Sequence, residues 1–230
     1  RGDTALTYFE FGTLAALQLM IDSDAKYLLL EVGLGGRLDA VNIVDPNIAV
    51  ITSIDLDHQD WLGNTKELIA IEKAGIFRAN IPAVIGEPHP PTTLFDATLE
   101  YKVKPLWQGS DFHFQIDEKG FHWQGAKSCY DNLPVPNIPA QNASTALQVI
   151  ELLGLHLDKR KMSQVFNQTR LPGRSQVIQN NPTVILDVAH NPQATRLLAS
   201  DLKNMQYKRV IAVVAMLVDK DIEATLAPML

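Results

Sequence analysis

The stretch Leu30-Glu31-Val32-Gly33-Leu34-Gly35-Gly36-Arg37-Leu38-Asp39-Ala40 decides how the rest of the chain is read. The approach to it, Lys26 to Val32, is an apolar run, the pattern of a strand buried on both faces. Gly33 to Pro46 then reads as a Gly-rich loop and turn. In an open α/β sheet, ligands gather outside the carboxyl ends of the strands. Glycines in that position let backbone approach a ligand closely. A strand of Leu and Val has little reason to carry a carboxylate, and burying one unpaired is costly. Glu31 is therefore expected beside a metal or another cation; a Glu–Arg pair serving packing alone is the alternative. A dinucleotide fingerprint does not fit. Leu38 stands where the third glycine should be, and 42–46 does not read as a helix start.

Working outward, Thr7 to Asp22 predicts a helix with an apolar stripe of Phe11, Leu14, Ala15, Leu17 and Leu19. Asn47 to Ile54 predicts a second buried strand, Lys66 to Phe77 a helix, and Pro82 to Ile85 a third strand. Strands alternating with helices imply βαβ units, hence an α/β fold with a mostly parallel sheet flanked by helices. The texture then changes. Phe112, Phe114 and Ile116 alternate with polar residues, Asp117 to Gly120 turns the chain, and Phe121 and Trp123 return: a small antiparallel element with one apolar face. His113 and His122 fall on its other face, where solvent-facing residues are commoner than metal ligands.

Pro134, Pro136 and Pro139 mark a connector, followed by helices over 140–153 and 159–169. Leu171-Pro172-Gly173-Arg174 punctuates the chain. Strands over 175–179 and 183–187, a helix from Pro192, a strand over 209–214 and a helix after Asp219 follow. The expected boundary lies near Leu171, giving a first domain over 1–171 and a Rossmann-like second domain over 172–230, truncated partway. Arg1 in place of Met, and a helical pattern still running at Leu230, read as cuts through a longer protein.

Composition narrows the classes. The 230 residues are 46% hydrophobic, enough for one large or two modest domains. The net charge of −6, without a stripe of Lys or Arg, argues against a nucleic-acid partner. Cys129, the single cysteine, forms no internal disulfide, which favours a reducing, cytoplasmic setting. No apolar run is long enough to span a bilayer, and no signal peptide opens the chain, so no membrane partner is expected.

Three further segments could carry chemistry. Ile54-Asp55-Leu56-Asp57-His58-Gln59-Asp60 follows a predicted strand and sets an imidazole among three acids. His58 reads as a metal ligand, with Zn or Mn matching imidazole better than Mg; the aspartates read as turn caps. Lys73 lies on the apolar face of its helix, with Ile69, Ile76 and Phe77 at helical spacing, so it must snorkel, pair or be chemically changed. In Leu186-Asp187-Val188-Ala189-His190-Asn191-Pro192, Asn191 is a good N-cap and Pro192 fits the first helical position. Asp187 and His190 thus stand at a helix N-terminus, a place for anionic groups, or belong simply to a well-built turn.

Taken together, these segments resemble the folylpolyglutamate synthase/dihydrofolate synthase branch of the Mur ligase superfamily, from about Leu6 to Leu226. The carriers are Leu6 to Glu10, LEVGLGGRLDAVNIVD at 30–45, TSIDLDH at 52–58, EKAGIF at 72–77, LPGR at 171–174, DVAHNP at 187–192 and Met216 to Asp221. The resemblance implies an ATP-dependent ligase that joins L-glutamate to dihydropteroate or reduced folates through an acyl phosphate. It implies that Glu31 and His58 bind two Mg2+ ions, with Mn2+ as a substitute, and that Lys73 is carbamylated near them. Thr7, Tyr8, Phe9, Glu10, Leu38, Asp39 and Ala40 would line a pterin pocket. Asn142, Arg174 and Asp187 would bind ATP, with His190 beside the nucleotide as a catalytic group. Monomers are usual in the family. The Gly-rich phosphate loop with its lysine does not occur in the chain, so this stretch alone is expected to lack ligase activity. Competing readings are a Mur-type ligase of cell-wall precursors, a catalytically silent binding fragment, and a metal-dependent hydrolase using His58 and the aspartates.

Overall fold

The computed structural model describes residues 3–205, 207–217 and 221–230. The chain divides into two compact units, Arg1–Ile54 with Asp60–Gln108, and Asp55–Gln59 with Gly109–Leu230.

The first unit is built on a parallel sheet of β1 (Ala49–Ile51), β2 (Pro82–Ile85) and β3 (Lys104–Trp107), in that order. Helix α1 (Tyr8–Ile21) precedes it, and α2 (Gln59–Leu62) begins at the end of the segment assigned to the second unit. Helices α3 (Lys66–Ala74) and α4 (Thr92–Glu100) pack on each other. Ala83, Val84 and Ile85 are fully buried, and Ile51, Ile54, Ile69, Ala74, Phe77 and Leu94 close the core around them. Removing such side chains from water is the main term holding this unit together.

The expected run of strands is shorter in the structure. Residues 26–32 form no strand. Tyr27, Leu28 and Leu29 are exposed. A strand exists through hydrogen bonds to a neighbour, and no strand among the described residues pairs with this segment. Glu31 is consequently exposed rather than buried at a strand end. The α1 stripe is likewise open, with Phe11, Leu14 and Leu19 all exposed and Thr13 the buried residue of the helix. Helix α3 stops at Ala74, with Gly75 as C-cap, rather than running to Phe77. Lys73 is half-buried.

In the second unit, β4 (His113–Asp117), β5 (Gly120–Gln124) and β6 (Cys129–Leu133) form an antiparallel sheet in that order. Helices α5 (Ala140–Leu152) and α6 (Lys159–Gln168) follow. Phe112, Phe121, Trp123 and Leu133 are buried with Met162 and Phe166, and Phe121 meets Phe166 edge-on at 5.5 Å. The predicted apolar face is therefore real, and β6 is a third strand that the sequence reading lacked. His122 is half-buried rather than freely solvent-facing. Beyond it, β7 (Gln176–Asn180) and β8 (Thr183–Leu186) pair antiparallel, not in the parallel sense of a Rossmann unit. Helices α7 (Pro192–Asn204) and α8 (Ile222–Leu226) pack together. No strand forms over the expected 209–214, and no strand among the described residues pairs with it; Val213 is 98% exposed. Asp219 and Lys220 of the last sequence motif lie outside the described residues. No helix among the described residues is long and apolar enough to cross a membrane.

Candidate active site

In the first unit, Thr7 caps α1 through a reciprocal box. Its hydroxyl oxygen accepts the Glu10 N–H at 3.2 Å, while Glu10 Oε2 accepts from the Thr7 N–H at 2.7 Å and the Thr7 hydroxyl at 2.9 Å. The backbone N–H of Thr7, then its hydroxyl, hold the Glu10 carboxyl below its usual range. The box aims the start of α1, and Tyr8, Phe9, Leu30, Glu31 and Val41 line a cleft of about 290 Å³ beside it. Thr7, Glu10, Leu38, Asp39 and Ala40 do not line that cleft, and Leu38 is 79% exposed.

Asp39 is spent on its own loop. Oδ2 accepts from the N–H groups of Gly33 at 2.9 Å and Leu34 at 3.1 Å, and Oδ1 from Val41 at 2.9 Å. A 3-10 turn over Ala40–Ile43 begins there. The loop then meets the end of α3. The Arg37 N–H donates to the Glu72 carbonyl at 2.9 Å, and the Arg37 guanidinium reaches Glu72 Oε1 at 2.9 Å. Asn42 Nδ2 donates to the Gly75 carbonyl at 3.0 Å. A Cβ on Gly36 would sit 3.0 Å from the carbonyl oxygens of Glu72 and Lys73, and one on Gly75 would sit 2.5 Å from Arg37 Cα. Only glycine permits that approach. The structure thus brings the loop carrying Glu31 onto the helix carrying Lys73.

Glu87, which the sequence reading missed, anchors the end of β1. It is 8% exposed. Oε2 accepts the Ile54 N–H at 2.9 Å and Oε1 the His89 N–H at 3.0 Å. The signal was available, since Glu87 stands by the end of an apolar run as Glu31 does.

In the second unit, Asp55–Gln59 meets the start of α7. Asp57 Oδ2 accepts from Asn191 Nδ2 at 2.9 Å and lies 3.5 Å from His190 Nε2. Asp55 Oδ2 accepts from Arg196 Nη2 at 2.5 Å. The aspartates do cap their own turn, as expected, through the N–H groups of Leu56 and His58. His58 itself is exposed and holds a φ of +50°. Asp187 ties the turn before α7 to the start of β7. Oδ1 accepts the Ala189 N–H and Oδ2 the Ser175 N–H, both at 2.7 Å. Ser175, at φ +40°, donates its hydroxyl to Asp201 at 2.7 Å. Arg174 and Asn142 are exposed, Asn142 in the first turn of α5, whose N-cap Pro139 supplies no side-chain bond. His58, Asp187 and His190 are thus gathered in one unit, with Arg174 beside Ser175. Sequence reasoning missed Asn191's amide, Arg196 and Ser175 as ties, because their partners lie far away in the chain.

No three His, Cys, Asp or Glu side chains among the described residues converge to hold a metal ion. Mg2+ is commonly held by one or two protein carboxylates with water and substrate phosphates supplying the rest. The Glu31 carboxylate is a hard oxygen donor of the kind Mg2+ takes, and the His58 imidazole is a donor better matched to Mn2+.

Two family profiles match: the Mur ligase middle domain over residues 3–87, and the Mur ligase glutamate ligase domain over 173–229. The chain belongs to the Mur ligases. Within them it falls in the dihydrofolate synthase/folylpolyglutamate synthase branch. It is 45% identical over 228 residues to that enzyme of Escherichia coli K12, covering 99% of this chain and 54% of the relative. Against the Haemophilus influenzae counterpart it is 42% identical over 236 residues, covering 94% of this chain and 54% of the relative. The structure of E. coli FolC in complex with DHPP and ADP superposes with a TM-score of 0.94 at 44% identity, over 99% of this chain and 55% of that one. A bifunctional folylpolyglutamate synthase/dihydrofolate synthase from Yersinia pestis, complexed with AMPPNP and Mn ion, gives 0.93 at 49% identity, over 99% and 55%. The chain spans about half the length of the curated relatives it matches.

Proposed function

We propose that the protein carrying this chain is an ATP-dependent amide ligase that adds L-glutamate to dihydropteroate, to reduced folates, or to both, in folate biosynthesis and polyglutamylation. One observation carries the reading: a 0.94 superposition on a relative holding DHPP and ADP, in a chain that contains the Gly-rich loop, the TSIDLDH turn and the DVAHNP turn. A further relative was solved with Mn, AMPPNP and L-glutamate bound.

In this reading a substrate carboxylate oxygen attacks the γ-phosphorus of ATP and ADP leaves. The glutamate nitrogen then attacks the acyl carbon, phosphate departs, and the amine gives up a proton. Mg2+, or Mn2+ in its place, supplies charge stabilisation for the phosphoryl transfer. Glu31 and His58 hold the ions. Lys73, half-buried at the end of α3, is carbamylated and so presents an anion instead of a cation. Tyr8 and Phe9 of the cleft, with Thr7, Glu10, Leu38, Asp39 and Ala40 shaping its loops, receive the pterin. Asn142, Arg174 and Asp187 bind the nucleotide, and His190 is the group beside it. The functional boundary falls near Leu171, a reading supported by the start of the glutamate ligase domain match at residue 173. The protein works as a cytoplasmic monomer, without nucleic acid or membrane.

The test is ATP-dependent incorporation of labelled L-glutamate by the protein carrying this chain, with dihydropteroate and tetrahydrofolate offered separately. Product mass rising by one glutamate, with matched ADP release, is the expected result. Glutamate incorporation with neither pterin, or turnover of a cell-wall precursor instead, overturns the reading.

A further inference from the structure

Asp57 is placed to act on two histidines at once. Its Oδ1 accepts the His58 N–H at 2.8 Å, and His58 occupies the left-handed region that few non-glycine residues adopt. Its Oδ2 accepts from Asn191 Nδ2 at 2.9 Å and lies 3.5 Å from His190 Nε2. Neither partner is free to turn away. Asn191 is also the N-cap of α7, its Oδ1 accepting the Ala194 N–H at 2.9 Å, so the amide nitrogen is the atom left for Asp57. His190 Nδ1 lies 2.9 Å from the Val188 carbonyl, which only accepts, so Nδ1 is the donor of that bond; Nε2 faces Asp57 Oδ2 at 3.5 Å and is drawn to it as an N–H donor when the ring is charged. Two residues earlier, Asp55 grips Arg196 on the next turn of α7. The Asp57 side chain is 21% exposed, so water competes only partly for these contacts.

We infer that Asp57 is a positioning residue of the ligase: its carboxylate fixes the backbone that presents His58 and the ring orientation of His190 as one rigid piece. It touches no reactant. The inference rests on the reading of His58 and His190 as site residues given above.

Exchange of donor and acceptor tests it. Asn191→Asp keeps the cap oxygen of α7 but sets one carboxylate against another. Asp57→Asn keeps Oδ1 for the His58 N–H but sets one NH2 group against another. The double variant D57N/N191D restores an N–H···O contact with the roles reversed and the net charge unchanged. In the 230-residue chain, NMR reads the His58 amide and the His190 ring nitrogens. Both signals are expected to shift in each single variant and to return in the double. In the protein carrying the chain, each single variant is expected to lower kcat for glutamate ligation by about tenfold or more while KM for ATP changes little, with recovery in the double. If a single variant fails to fold, recovery of the fold and of both signals in the double is the expected result. Single variants with wild-type signals, or a double no better than the worse single, overturn the inference. Recovery of the signals in a protein that ligates no glutamate, wild type included, leaves the Asp57 contact standing and removes the ligase reading instead.

Discussion

The two loops that carry candidate site residues are held in different ways. The Gly33–Val41 loop is fixed sterically, with glycine backbone pressed against the end of α3, whereas the Asp55–Gln59 turn is fixed by carboxylates reaching α7. Close packing tolerates almost no added atom, because the atoms in the way are backbone that cannot rotate aside. A carboxylate tie loses only the hydrogen bonds it made, and part of that loss is recovered from water. The first loop should therefore be brittle and the second adjustable.

Gly75→Ala is the sharpest way to break this contrast. Its new Cβ would stand 2.4 Å from Arg37 Cβ and 2.5 Å from Arg37 Cα. A loss of about 3 kcal/mol in urea unfolding is expected, at the upper end for overpacking. A loss below about 1 kcal/mol would show that the loop can move off α3, and steric fixing would be the wrong description. Asp39→Ala comes next. It removes the acceptor for the N–H groups of Gly33, Leu34 and Val41, and about 2 kcal/mol should go with it. Asp39→Asn should cost less, because an amide oxygen still accepts one or two of them.

The antiparallel sheet supplies a third, titratable kind of tie. His122 bridges Asp131 through Nδ1 and Asp117 through Nε2, both at 3.0 Å. These bonds, Asp131 first, raise the His122 pKa above its ordinary 6.5. The Asp117 carboxyl is held low by the Lys119 N–H and then by His122; that of Asp131 is held low chiefly by His122. Burial, and then the facing Asp131, pushes the Cys129 thiol up. The folded state grips the His122 proton more tightly than the unfolded chain does. Its contribution is therefore complete below 6.5 and is lost as pH rises through the higher folded value. The melting temperature of the wild type should accordingly fall on the alkaline side more than that of His122→Gln. Equal slopes would remove the bridge as a source of stability.

The smallest effect is expected at Arg37–Glu72. The pair spans 2.9 Å with side chains 48% and 23% exposed, so Glu72→Gln should cost roughly 0.5 kcal/mol, less in high salt. A cost comparable to that of Gly75→Ala would mean that charge, not packing, holds the first loop.

Much of the local structure was legible. The first helix, the β2 bounds, the apolar face of the β4–β5 hairpin and the Asn191-Pro192 helix start stand as read. Each depends on residues within a few positions of one another. The strands read at 26–32 and 209–214 were wrong for this chain because composition shows only that a segment could pair. The third strand β6, whose Tyr130 and Leu133 flank a bulge opposite β5, has too little alternation to be seen. For the candidate site, residue types and helix ends were readable, while the employment of Asp39 within its own loop and the anchor at Glu87 were not.

The sequence by itself determined the family, the helix starts and the glycine positions, because caps, turns and periodicity act through neighbours in the chain. Tertiary structure alone decided which apolar runs find a strand partner and that Asp57 meets Asn191, 134 residues away. Hydrogen bonds between distant segments carry no local signature; they exist only once the core has fixed where the two backbones lie.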